Sequence, residues 1–130
     1  MTASETDPSA GVVMSVQGFQ QATRAYAVSS NRRSRREQEA EVFRLVNAAL
    51  RRGRESGGAV LVRALADTMR LWNMVLDLVG DPDNTLPADL RASIISVGLA
   101  VRRETQRPQP DVDFLVSINE NIASGLSGTA

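Results

Sequence analysis

The stretch TMRLWNMVLDLVGDPDNTLPADLR, residues 68–91, decides the fold of this 130-residue chain. It contains the only Trp, at position 72, within the longest apolar helical pattern of the sequence. The turn-forming residues Asp81 to Asn84 then interrupt the pattern, and Pro87 suits the first position of a new helix. The stretch therefore predicts a buried helix, a sharp turn and a second helix, which the remaining segments cover.

The buried helix of this stretch is predicted to extend from about residue 59 to residue 79. Its apolar face repeats every three or four residues, at Leu61, Leu65, Thr68, Trp72, Val75 and Val79. Other apolar side chains widen this face, so polar residues occupy only a narrow ribbon. A helix that is apolar around most of its circumference lies at the centre of a fold and packs against neighbours on several sides. We therefore expect Trp72 to be buried at the hub of the fold.

Helical spacing predicts four further helices around this central one. The first covers residues 15–28. The second begins at Ser34, where Ser-x-x-Glu forms a capping box after a loop at residues 29–33, and ends near residue 54. The fourth begins at Pro87, and the fifth, residues 112–124, is capped by Asp111. The predicted fold class is all-α, a single small bundle of about five helices.

The domain boundaries follow from composition at the two ends. Residues 1–14 are rich in Ser, Thr and acids, include Pro8, and are predicted to be a disordered tail. Residues 15–126 form one predicted helical domain, and residues 127–130 form a short tail. The first eight residues resemble no signal peptide, and no apolar run is long enough to span a membrane. The expected location is therefore the cytoplasm, and no membrane association is expected.

Three missing residue types exclude most catalytic chemistry. The chain has no Cys, no His and no Lys, and all fifteen basic residues are Arg. This composition excludes thiolate nucleophiles, serine–histidine triads, thiolate zinc sites and lysine Schiff bases. Ser and Asp side chains alone supply no activated nucleophile. We predict a protein that is not an enzyme, with no catalytic, cofactor-binding or metal-binding residue and no small-molecule substrate.

The charge is balanced overall but unevenly distributed. Residues 1–60 carry nine Arg and six acids, whereas residues 61–130 carry six Arg and nine acids. The halves therefore have net charges of +3 and −3. This uneven charge is compatible with docking to a partner whose surface charge is also unevenly distributed. A nucleic-acid-binding domain, by contrast, usually carries a strong basic excess.

Two groups of residues are candidates for partner binding. The first group, Met69, Met74 and Leu76, lies beside the most regular apolar face of the central helix. Flexible Met side chains suit adaptable peptide grooves, although a widely buried helix explains these positions as well. The second group is the Arg cluster, which we define as Arg32, Arg33, Arg35 and Arg36. It is compatible with a solvated face, an acidic protein partner or RNA, but no aromatic residues are interleaved with it for base stacking.

The order of several motifs resembles one known family. The motifs are Phe19-Gln20-Gln21-Ala22, Arg36-x-x-Glu39-x-x-Val42-Phe43, Leu71-Trp72-Asn73, Asp81-Pro82-Asp83-Asn84-x-Leu86-Pro87-x-x-Leu90-Arg91 and Leu115-x-x-Ile118-Asn119-x-x-Ile122-x-x-Gly125-Leu126. Over residues 17–126 the chain resembles the FlaF family of flagellar biosynthesis regulators of alphaproteobacteria. The most specific part is Trp-Asn followed by Asp-Pro-Asp-Asn-x-Leu-Pro.

The resemblance implies a small cytoplasmic, non-enzymatic protein needed for flagellin production and filament assembly. It implies flagellin as a partner, together with FlbT, a regulator that acts on flagellin mRNA. The favoured mechanism is a secretion chaperone that holds an amphipathic helix of flagellin against an apolar groove. The alternatives are an RNA-level regulator of flagellin translation acting through the Arg cluster, and a structural adaptor to FlbT.

Overall fold

The computed structural model describes residues 8–128, with side chains described for residues 16–25 and 27–128. The elements are α1 (Pro8–Ser56), α2 (Gly58–Gly80), α3 (Ala88–Thr105) and α4 (Val112–Leu126). Within the described residues there is no strand, so the predicted all-α class is confirmed. The described residues form four helices where about five were predicted.

The difference in helix number arises in α1, which joins the first two predicted helices. Residues 29–33, predicted to be a loop, are helical, and the capping box predicted at Ser34 lies inside α1. The reason is that residues 19–52 contain neither Gly nor Pro, and Ser, Asn and Arg disfavour a helix only weakly. Of the predicted N-terminal tail, residues 8–14 belong to α1 and residues 1–7 lie outside the described part of the chain.

The chain divides into two compact units at the boundary between Gln38 and Glu39, and α1 contributes residues to both. In the first unit, every described side chain from Val16 to Gln38 is exposed except that of Ser30, which is half-buried. The second unit contains all of the buried residues in the described part of the chain. Burial therefore separates the two units, although both are helical.

The core of the second unit is built around α2. Trp72 is 1% exposed, and its ring meets that of Phe43 edge to face with centroids 6.0 Å apart. The predicted face of α2 is confirmed, since Thr68, Trp72 and Val79 are buried and the other three positions are half-buried. The remaining buried apolar residues of this core are Ala40, Leu50, Ala64, Leu71, Val101, Val112, Leu115 and Ala123.

Two glycines allow close approaches within the second unit. A Cβ atom on Gly53 would lie 2.7 Å from the Cα atom of Leu61, so α1 and α2 approach backbone to backbone beside the turn that joins them. A Cβ atom on Gly98 would lie 2.6 Å from a methyl carbon of Leu76, where α2 packs against α3. A larger residue at Gly53 would push the two helices apart, whereas at Gly98 the side chain of Leu76 would have to move.

The connections on either side of α3 follow the predicted turn chemistry. Pro87 is the N-cap residue of α3, so this helix begins at Ala88, one residue later than predicted. Asp111 caps α4 as predicted, because its side chain accepts a hydrogen bond of 3.1 Å from the backbone N–H of Phe114. The carboxylate of Glu104 accepts hydrogen bonds from the guanidinium of Arg107 and from the backbone N–H of Asp111. These contacts hold the Pro-rich linker and set where α4 begins.

Candidate functional site

The second unit carries an open apolar groove of about 250 Å³, which we call the apolar groove. Its lining residues are Glu39, Phe43, Trp72, Val75, Leu78, Val79, Asn84, Leu86, Ile94, Ile122 and Leu126. All four helices and the turn after α2 contribute to it, and all of its residues except Glu39 and Asn84 are apolar. Phe43, Trp72 and Val79 are buried at its base, whereas Leu78 and Leu86 are 57% and 38% exposed. The groove thus offers apolar surface to a partner.

The base of the apolar groove is fixed by a buried chain of hydrogen bonds. The indole N–H of Trp72 donates to Oδ1 of Asn119 over 2.8 Å. The amide of Asn119 in turn donates to Oδ1 of Asn47 over 3.0 Å, and the amide of Asn47 donates to the backbone carbonyl of Val116 over 3.0 Å. All three side chains are at most 1% exposed. Because a buried polar group that loses its partner is costly, this chain holds α1, α2 and α4 in one register.

One wall of the apolar groove is the turn between α2 and α3. The backbone N–H groups of Asp83 and Asn84 donate to the side chain and the carbonyl of Asp81, at 2.9 and 3.0 Å. The Asn84 amide donates to the carbonyl of Leu78 over 2.9 Å, while its Oδ1 accepts from the N–H of Leu86 over 2.9 Å. Asn84 therefore closes the end of α2 and fixes Leu86 at the groove. The predicted turn at residues 81–84 is confirmed.

One lining residue of the apolar groove is acidic, and the turn that forms one of its walls carries two further carboxylates. Glu39 lines the groove, and Asp81 and Asp83 lie in the same turn as the lining residue Asn84. None of the three carboxylates forms an ion pair with another residue in the described part of the chain. From Leu71 to Leu90 the sequence contains four Asp and no Arg. A basic segment would meet attractive charge here.

The apolar residues proposed from the sequence lie at separate places outside the apolar groove. Met69 is half-buried, and its sulfur accepts a hydrogen bond of 3.5 Å from the Thr105 hydroxyl. Met74 is 60% exposed on α2, and Leu76 is half-buried against Gly98. Met69 and Leu76 therefore face α3, Met74 is exposed, and none of the three lines the apolar groove.

The Arg cluster lies on α1 in the first unit, and all four of its side chains are exposed. Together with Ser29 they border an open depression of about 360 Å³ on the surface of this helix. The guanidinium of Arg33 donates to the hydroxyl of Ser30 over 3.3 Å. The structure thus places the predicted basic residues side by side on one solvated helix.

Sequence reasoning assigned three groove-lining residues of α2 to the core. Trp72, Val75 and Val79 belong to the predicted apolar face of this helix. Helical periodicity shows that these positions turn away from water, but it cannot show whether the neighbouring helices close over them. Leu86 carries the one available sequence signal, since it is an apolar residue inside a polar turn.

Neither a metal site nor a membrane span is found in the described residues. No group of three or more His, Cys, Asp or Glu side chains there is placed to hold a metal ion. The helices that were searched fall short of the length and apolar content that crossing a bilayer requires. Within this part of the chain, the apolar groove and the Arg cluster are two surfaces suited to binding.

Comparison with known proteins identifies the family. Among curated proteins and among solved structures, no match to this chain was found. The model of one family, described as flagellar protein FlaF, matches residues 22–126, which is most of the chain and includes every residue that lines the apolar groove. The family resemblance read from the sequence is thereby confirmed, and the chain belongs to the FlaF family of flagellar proteins.

Proposed function

We propose that this protein binds flagellin in the cytoplasm and acts as its secretion chaperone, with an effect on flagellin synthesis through that binding. The observation that carries the proposal is the apolar groove on the part of the chain that matches the FlaF family model. Apolar surface bordered by polar residues often marks a site where a protein binds a partner, and a chaperone uses such surface to cover the apolar face of its client.

The shape of the apolar groove favours a helical client segment. Grooves formed between packed helices bind amphipathic helices through apolar anchors spaced by three or four residues. Leu78 and Leu86 lie partly open at the groove, above the buried rings of Phe43 and Trp72. An apolar side chain of the client would pack against these residues, and the hydrogen-bonded base would keep its shape when the client leaves.

The test measures flagellin binding by calorimetry with purified full-length protein. Leu78→Asp places a charge in the apolar groove at a position that is 57% exposed, so the fold should tolerate it. The matched control is Val62→Asp, also on α2, at a position that is 67% exposed and lies outside the groove. We expect Leu78→Asp to weaken binding by about tenfold or more, and Val62→Asp to leave it unchanged. Absence of binding by the unmodified protein at tens of micromolar, about the weak end of functional affinities, would refute the proposal.

The exposed Arg cluster supports a second candidate function, regulation of flagellin translation through RNA. Phosphate contacts from Arg make such binding strongly dependent on salt. Reversal of the cluster by Arg32/Arg33/Arg35/Arg36→Glu should abolish binding to the leader of the flagellin message in a gel-shift assay. An unchanged shift would exclude this function.

The third alternative, a structural adaptor, predicts that the protein binds FlbT and leaves flagellin unbound, so the same calorimetry with each partner separates it from the chaperone.

A further inference from the structure

The described part of the first unit is a helical segment that carries exposed apolar side chains. From Val16 to Gln38 it is helical, yet Val16 is 51%, Phe19 72% and Val28 48% exposed. In proteins most helical stability comes from the packing of an amphipathic face rather than from intrinsic propensity. Exposed Phe and Val on such a helix indicate that this face is covered by another surface.

Three residues form an apolar ridge on this segment. Val16, Phe19 and Thr23 are spaced by three and four positions, so their side chains lie on one face of the helix. The hydroxyl of Thr23 donates to the carbonyl of Phe19 over 2.7 Å, which satisfies it within the helix. The ridge can therefore be buried without leaving an unpaired hydroxyl.

The charge of this segment is the opposite of that around the apolar groove. Residues 16–38 contain five Arg and one Glu. Glu39 lines the groove, and Asp81 and Asp83 belong to the turn that also carries the lining residue Asn84; none of these three carboxylates has an ion pair within the described residues. Opposite charge on two surfaces steers their encounter and selects their pairing. The chain thus holds both an apolar ridge on a basic helix and an apolar groove with acidic surroundings.

We propose that the basic helical segment of one copy, residues 16–38, docks through Phe19 into the apolar groove of a second copy. Phe19 supplies the aromatic anchor, and it would pack at Leu78 and Leu86 above the buried rings of the groove. Arg24 follows Phe19 by five residues, which is about 7.5 Å along a helix, and this brings a positive charge within reach of the acidic turn at residues 81–83. When each copy both gives and receives a segment, the result is a closed two-fold dimer.

The dimer would use the same groove as the proposed flagellin client, so the two are mutually exclusive. A client that binds would release the basic segment of the second copy and expose its Arg residues. The dimer itself does not depend on the identity of the client, and its test needs only this protein. Phe19→Asp separates the two proposals, because it removes the aromatic anchor of the docking segment and leaves every residue of the groove unchanged.

The first measurement is the mass of the full-length protein by sedimentation over a range of about 1 to 500 µM, which spans weak and moderate affinities. We expect a concentration-dependent dimer in the unmodified protein, and a dissociation constant about tenfold or more higher in both Phe19→Asp and Leu78→Asp. Val62→Asp is the matched control and should dimerise normally. A monomer across the whole range, or a dimer that survives Phe19→Asp, would overturn the proposal.

The second measurement tests the pairing itself by disulfide trapping, which is clean because the chain has no native Cys. Thr23→Cys places a thiol on the ridge, and Leu86→Cys places one at the groove. Mixing the two single variants under oxidising conditions should produce the mixed disulfide in excess over a mixture of Thr23→Cys with Val62→Cys. Preferential Thr23→Cys homodimers would instead show ridge-to-ridge pairing and would contradict docking in the groove.

Discussion

The two halves of α1 are built from one uninterrupted helical backbone but differ in what their side chains do. From Glu39 onward, four positions spaced by three or four residues are buried, namely Ala40, Phe43, Asn47 and Leu50. From Val16 to Gln38, no described side chain is buried. The difference shows that helical backbone and tertiary packing are separate properties of this sequence. Only the second half of α1 contributes to the core.

The residue types at core-facing positions explain the contrast. In the second half of α1, apolar or hydrogen-bonding residues of suitable size recur at the spacing that meets α2 and α4. In the first half, Arg and Ser increasingly replace apolar residues toward Gln38, and charged side chains are costly to bury. Substitutions in the second unit should therefore change the free energy of unfolding, whereas substitutions in the segment 16–38 should change self-association or local helicity.

The largest expected effect is the loss of Trp72. Trp72→Ala removes a side chain that is 1% exposed and leaves both a cavity and an unpaired Oδ1 atom on Asn119. We expect a decrease in the free energy of unfolding of about 3–5 kcal/mol, measured by urea denaturation followed by circular dichroism. Phe19→Ala is the counterpart in the first unit and should change it by less than about 0.5 kcal/mol.

The two variants should be compared at a concentration low enough for the protein to be monomeric. A Trp72→Ala protein with unchanged stability would contradict the assignment of Trp72 to the hub. A Phe19→Ala protein destabilised by as much as Trp72→Ala would show that the first unit belongs to the same cooperative core.

The next effect concerns the buried hydrogen-bond chain at the base of the apolar groove. Asn119→Ala leaves the indole N–H of Trp72 and Oδ1 of Asn47 without partners, in surroundings that exclude water. Each orphaned group costs about 1–3 kcal/mol, so a total loss of about 2–6 kcal/mol is expected from denaturation curves. The control is Asn73→Ala, because Asn73 is exposed and accepts only from Arg102, and this variant should lose less than about 1 kcal/mol.

This hydrogen-bond chain also marks what sequence reasoning could and could not reach. The all-α class, the central helix, the turn at Asp81 and the cap at Asp111 all followed from local patterns, because each depends on residues close together in sequence. Asn47 and Asn119 were missed, because a polar residue on an apolar face is recognisable as core only when its partner is known. That partner lies 72 positions away.

The apolar groove and the continuity of α1 were missed for different reasons. Val75, Val79 and Ile122 look the same in a helical pattern whether neighbouring helices close over them or leave them open, since this depends on how helices from distant parts of the chain diverge. At Ser34, the capping-box pattern describes how a helix can begin, but it does not require that the preceding residues stop being helical. Without Pro or Gly nearby, the helix continues.

A smaller effect is expected where α1 meets α2. Gly53→Ala would place a Cβ atom 2.7 Å from the Cα atom of Leu61 and 3.1 Å from its backbone nitrogen. Backbone atoms cannot rotate away, so the helices must shift, and overpacking of this kind costs about 1–3 kcal/mol. The measurement is again urea denaturation. Equal stability of Gly53→Ala and the unmodified protein would show that the helix junction can open without loss of packing.

The smallest effect, with the opposite sign, is expected at Gly18, another internal glycine of α1. A Cβ atom on Gly18 would meet nothing within 4 Å, so Gly18→Ala meets no steric cost. Ala favours a helix by about 0.5–1 kcal/mol over Gly, and this gain should stabilise the helix of residues 16–38. Because that segment contains no buried side chain among the described residues, the free energy of unfolding should stay within about 0.3 kcal/mol of that of the unmodified protein. Amide hydrogen exchange in the segment should become slower. The pair Gly18→Ala and Gly53→Ala thus makes the same chemical change twice in one helix. If both variants lowered the free energy of unfolding, the first unit would be packed as tightly as the second. The exposure pattern instead predicts slower local hydrogen exchange in Gly18→Ala and a lower free energy of unfolding in Gly53→Ala.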